Sequence, residues 1–101
     1  MNPNIQQFLQ SRISQLQTEL SQKTVSCSSG GGMVTAIADG RGKIRSIKID
    51  PVVANGGDVE MLEDLVLAAV SEAQSRAQQV FEDEMKKVTG GLNLPFTLPD
   101  L

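Results

Sequence analysis

Histidine, tryptophan and tyrosine are absent from this 101-residue chain, and cysteine occurs once, at Cys27. Without histidine the most common general base near neutral pH is missing, and so are the usual zinc ligand sets. A single cysteine excludes an intramolecular disulfide, and nothing nearby would activate it as a nucleophile, so Cys27 reads as a small core or edge-strand residue. The longest apolar run, Leu65 to Val70, falls far short of the roughly 20 residues a bilayer span requires. Met1-Asn2-Pro3-Asn4 offers neither a basic n-region nor an apolar h-region, so no signal peptide is expected. Together these absences point to a cytoplasmic protein with no catalytic centre, no metal, no cofactor and no small-molecule substrate.

Charge is also lacking in one sense: nine basic and twelve acidic residues leave a net of −3, which on its face argues against nucleic acid. The distribution says more than the sum. Arg12 and Lys23 oppose only Glu19 in residues 1–32, and Arg41, Lys43, Arg45 and Lys48 oppose Asp39 and Asp50 in residues 33–57. Residues 58–101 set nine acids against Arg76, Lys86 and Lys87. A weakly basic front thus precedes an acidic back. Phosphate contacts are local and screened beyond a Debye length of about 8 Å, so the front can bind a phosphate backbone despite the net charge.

What is present is periodicity. Asn2 suits an N-cap and Pro3 a first helical position. Ile5, Phe8, Leu9, Ile13, Leu16 and Leu20 then recur at three- and four-residue steps, which predicts an amphipathic helix to about Lys23 with a glutamine-rich outer face. Thr24–Ser28 reads as a short strand, Ser29–Gly32 as a break, and 33–39 and 43–50 as strands of a hairpin turning at Gly40-Arg41-Gly42. Ile44 and Ile47 have opposite parity, so a bulge between Arg45 and Ile47 is expected to put both on one apolar face. Pro51 closes that strand. After the loop Asn55-Gly56-Gly57, Asp58 caps a second helix whose stripe is Leu62, Val66, Ala69, Ala73, Ala77 and Val80, extended by Phe81, Met85 and Val88 to an end at Gly90-Gly91. The order is α-β-β-β-α, an α+β fold with a small antiparallel sheet and two long helices. Such a chain leaves more apolar surface than it can cover alone, and a symmetric homodimer is the economical remedy.

The motifs are few. Gly30-Gly31-Gly32 lacks the lysine, hydroxyl and following helix of a phosphate loop, and reads as a connection between strands. Glu82-Asp83-Glu84 beside Lys86-Lys87 matches i, i+4 pairing (Glu82 with Lys86, Asp83 with Lys87) better than a metal or acid–base cluster. Arg41, Lys43 and Arg45 would alternate along one strand face, either as phosphate contacts or as edge protection against aggregation. No aromatic interleaves with them in sequence, which argues against base stacking at the hairpin.

The run Gly30-Gly31-Gly32-Met33-Val34, then Asp39-Gly40-Arg41-Gly42, Ile47-Lys48-Ile49-Asp50-Pro51, Leu62-Glu63-Asp64-Leu65, Ala68-Ala69-Val70-Ser71-Glu72-Ala73 and Met85-Lys86-Lys87-Val88-Thr89-Gly90-Gly91-Leu92 resembles the YbaB/EbfC family of bacterial nucleoid-associated DNA-binding proteins. The resemblance spans about residues 1–95. It implies one domain over 1–91 with a proline-containing tail over 92–101, and an intertwined or tweezer-like homodimer whose helices project as arms and hold double-stranded DNA in the nucleoid. It also implies no enzyme activity, low sequence specificity, and effects on DNA conformation and gene expression. On the arms, Arg12, Lys23, Arg76, Lys86 and Lys87 carry suitable charge, with Arg41, Lys43 and Arg45 on the hairpin sharing the load. The alternative is a dimeric adaptor that offers its acidic second helix to a basic protein partner.

Overall fold

The computed structural model describes residues 3–92, with side chains described over 5–88. Helix α1 spans Pro3–Gln22, and strands β1 (Thr24–Ser29), β2 (Val34–Asp39) and β3 (Ile44–Ile49) follow as an antiparallel sheet in the order β1-β2-β3. Helix α2 is one short turn, Pro51–Ala54, and α3 runs over Val59–Leu92. The α-β-β-β-α order is as expected. The short α2 is additional: Asp50 accepts from Val52 N at 2.9 Å, and Pro51 sits at a first helical position, where its missing N–H costs nothing. Asp58 caps α3 as predicted, accepting from Met61 N at 2.9 Å. Helix α3 continues through Gly90-Gly91 to Leu92 rather than ending at the glycines. Glycine weakens a helix by roughly 1 kcal/mol but keeps its N–H, so it does not break the ladder as proline would. The Asn2 cap and the tail from 93 onward lie outside the described residues.

The sheet is built by alternation. Cys27 of β1 and Val34, Ala36 and Ala38 of β2 point to one face and are buried, while Ser26, Ser28, Ser46 and Lys48 on the other face are exposed. Helix α3 lies across β1 and β2 on the apolar face. Its Ala69, Ala73 and Ala77, four residues apart, are fully buried, with Leu62, Leu65, Val66 and Val70 packed around the same cluster. Three alanines in line let the helix backbone approach the sheet closely. A bulge is present one residue earlier than expected, at Arg45 rather than between Arg45 and Ile47: Ile37 pairs with Ser46 and Ala38 with Ile44, leaving Arg45 unmatched. Ile44, Ile47 and Ile49 therefore share the face of Ala38, Ala36 and Val34. Beyond the reach of α3, Ile47 and Ile49 stay 41% and 39% exposed.

Among the described residues, the C-terminal half of helix α1 is the part packed against the rest of the molecule. Leu16 and Leu20 are buried, whereas Ile5, Phe8 and Ile13 on the same stripe are exposed. Gly40 at the β2–β3 turn donates its N–H to Leu20 O (2.8 Å) and Lys23 O (3.0 Å), which caps the end of α1 with the hairpin.

Candidate nucleic-acid interface

The docking of the β2–β3 turn on α1 brings Lys23, Arg41, Lys43 and Arg45 to one end of the sheet, although they span 23 positions of sequence. The organiser of this basic shoulder is Asp39, the one fully buried charged residue among those described. Its Oδ1 accepts from Arg41 N (2.8 Å) and Lys43 N (3.1 Å), and its Oδ2 from Arg45 Nε (3.0 Å), with Arg45 Nη2 at 2.8 Å. Asp39 N also donates to Lys43 O and Gly42 N to Asp39 O, both at 2.9 Å, which closes the turn. Burial pushes the Asp39 carboxyl up, but the N–H groups of Lys43 and Arg41 and the Arg45 guanidinium outweigh it, holding the group below the ordinary carboxylate range.

The three hairpin cations consequently differ. They do not form a row on one strand face, because Arg41 lies in the turn, Lys43 precedes β3, and Arg45 is the bulge residue folded back on Asp39. The side chains of Arg41 and Lys43 make no ion pair or hydrogen bond among the described residues and project from a turn that is itself tightly bonded.

On the arm, Lys23, Lys87 and Arg76 are paired. Glu84, whose side chain is 14% exposed, takes Lys23 Nζ at 2.6 Å and Lys87 Nζ at 3.4 Å and so joins α1 to α3. The Lys23 bond, helped by Lys87, outweighs desolvation and holds the Glu84 carboxyl low, and the same bond raises the Lys23 ammonium. Lys87 thus turns to Glu84 rather than to Asp83, which accepts from Gln79 at 3.0 Å. Arg76 pairs with Glu72 at 3.3 Å on an exposed face, and Lys86 is exposed further along α3. Arg12 lines a small crevice with Leu16, Glu19, Glu84 and Lys87 and has no ion pair among the described residues.

Three features escaped the sequence reading. Lys48 is exposed on the open sheet face without an ion pair among the described residues. Asp39 could have been found, since an aspartate opening a Gly-Arg-Gly turn is a signal for side-chain-to-backbone bonding. The third is a groove of about 350 Å³ between the hairpin tip and α3, lined by Gly40, Arg41, Gly42, Gln74, Ala77, Gln78 and Phe81. It brings an aromatic ring beside the hairpin from about 40 positions away, which no local pattern could reveal. Among the described residues no group of three His, Cys, Asp or Glu side chains is placed to hold a metal ion, and no helix is long and apolar enough to cross a membrane.

A family model described as the YbaB/EbfC DNA-binding family matches residues 1–92. A protein named nucleoid-associated protein from Gemmatimonas aurantiaca is 50% identical over 91 residues, covering 90% of this chain and 88% of that one. Another of that name, from Thermoanaerobacter sp. (strain X514), is 53% identical over 89 residues, covering 88% and 80%. The crystal structure of an uncharacterized protein from Helicobacter pylori superposes with a TM-score of 0.64 at 20% identity, covering 87% of this chain and 98% of that one, and so shares the fold.

Proposed function

The chain belongs to the YbaB/EbfC DNA-binding family, and from that membership and the basic shoulder we propose that it is a nucleoid-associated protein. In this reading it binds double-stranded DNA as a homodimer, with low sequence specificity and no catalysis. The observation that carries the mechanism is the pair Arg41 and Lys43, two uncompensated cations on a turn held rigid by a buried carboxylate. A rigid mount lowers the conformational cost of each phosphate contact. Phosphate contacts give affinity without reading base identity. Lys23, Arg45, Arg76, Lys86 and Lys87 would add to the field around the duplex, the ion-paired ones more weakly because their acids offset them. Arg12 extends the contact along the α1 arm. The acidic remainder of α3 repels phosphate, which orients the duplex toward the hairpin side.

Binding of a labelled 30-base-pair duplex, titrated from low to physiological salt, tests this. Wild type is expected to weaken as salt rises. Arg41→Ala with Lys43→Ala should weaken all sequences about equally and reduce the salt slope by about 2. Loss confined to one sequence, or an unchanged slope, would refute the mechanism. No duplex binding even at low salt would turn the search to basic protein partners of α3.

A further inference from the structure

The groove between the hairpin tip and α3 holds groups that a duplex held through its phosphates does not use. Phe81 is 42% exposed there, a large ring left facing solvent at a site where the floor is the small, buried Ala77. Gly40 and Gly42, which carry no side chains, line it beside the ring. Gln74, Ala77, Gln78 and Phe81 fall on one face of α3 by their three- and four-residue spacing. Gln74 donates its amide to Gly42 O at 3.3 Å and Gln78 donates to Glu82 at 3.4 Å, so each side-chain carbonyl can still accept a hydrogen bond. The unpaired cation Arg41 stands at the rim, and no lining residue is acidic. That neutrality is local. From Ala73 to Phe81 the only charged residue is Arg76, within a helix that otherwise carries a large excess of acids.

We propose that this groove takes one unstacked nucleobase of a single strand, its face against Phe81, its edge toward the Gln74 and Gln78 amides and its flanking phosphate on Arg41. The inference rests on the reading of the hairpin as a nucleic-acid contact and adds a ligand to it: single-stranded, gapped or frayed DNA. Bases within an intact duplex are already stacked and cannot present a face to the ring, whereas unpaired ones can. A volume of about 350 Å³ lies at the lower end of the roughly 300–1,000 Å³ typical of small-ligand sites.

The absence of tryptophan and tyrosine supplies the test. In the full chain carrying Phe81→Trp, indole emission reports this site alone. It should be quenched by oligothymidylate at low salt, and far less by a blunt 30-base-pair duplex. Phe81→Leu, which keeps apolar bulk without a ring face, should weaken single-strand binding by about tenfold and leave duplex binding within twofold. Single-strand binding without quenching, undiminished affinity in Phe81→Leu, or emission that follows protein concentration alone (a second copy covering the ring) would each overturn the proposal. If duplex binding still depends on Arg41 and Lys43 in that case, the groove fails while the duplex reading stands; if that dependence is missing too, both fail.

Discussion

Asp39 bonds two backbone N–H groups and one guanidinium from a fully buried position and so orders the β2–β3 turn. Asp39→Ala would strand the N–H groups of Arg41 and Lys43, and a loss of about 1–3 kcal/mol in chemical denaturation is expected. The same carboxyl sets a pH dependence. A group held below its ordinary range contributes stability that is complete above its unfolded pKa, about 3.9, and is lost as pH falls from there through the lower folded value. Glu84 acts in the same direction. Lys23, raised by its bond to Glu84, acts on the alkaline side: its contribution is complete below about 10.4 and lost as pH rises through the higher folded value. Melting temperature should therefore be flat near neutrality and fall below about pH 4, with a smaller fall in Asp39→Asn than in wild type. An equal fall in both proteins would remove Asp39 from the account.

At the scale of elements, two close approaches hold the helices in place. A Cβ at Gly40 would stand 2.8 Å from Leu20 O and 2.9 Å from Leu20 Cδ2, both on α1. Gly40→Ala should push α1 off the hairpin and cost roughly 1–3 kcal/mol, measurable by denaturant titration. At Gly31 nothing lies within 4 Å, but φ is +68°, so Gly31→Ala should cost only the backbone strain of about 1–2 kcal/mol. The second approach is the alanine stripe. Ala73 is fully buried between α3 and the sheet, and Ala73→Leu should destabilise by overpacking, about 1–3 kcal/mol, or tilt α3 and with it the Phe81 groove. The stripe and the glycine turn were both legible as periodicity and as a hairpin signal. Which backbone atoms the turn would touch was not, because that contact joins residues 20 positions apart.

For the molecule as a whole, the radius of gyration of 18.6 Å exceeds the roughly 13 Å of a compact 100-residue domain, as two long helices beside a three-stranded sheet require. The elongation leaves apolar side chains uncovered: Ile47 and Ile49 on the helix side of β3, Val52 at 77% exposure on α2, and Ile5, Phe8 and Ile13 on α1. The proposed homodimer would cover part of this surface, and the β3 edge, with both an apolar row and the unpaired hydrogen-bonding groups of an edge strand, is its expected seam. Light scattering should give twice the 10.8 kDa chain mass, and Ile47→Asp with Ile49→Asp should return the single-chain mass without loss of helix signal. A double-mass species in that variant would move the seam elsewhere.

The amino-acid sequence by itself determined the order of the two long helices and three strands, the alternating core face, the existence of a bulge in the third strand and the family, because each is a short-range pattern of apolar spacing, turn residues or motif order. It also determined that charge is divided between a basic front and an acidic back. Tertiary structure decided that Lys23 of α1 is spent on Glu84 of α3 and Arg45 on the buried Asp39, with Arg41 and Lys43 left outward. It alone set Phe81 beside Arg41. An ion pair or a groove wall depends on where two distant segments meet, and that meeting is fixed by how three alanines and one glycine let the helices close on the sheet and on its hairpin, a distance no local pattern encodes.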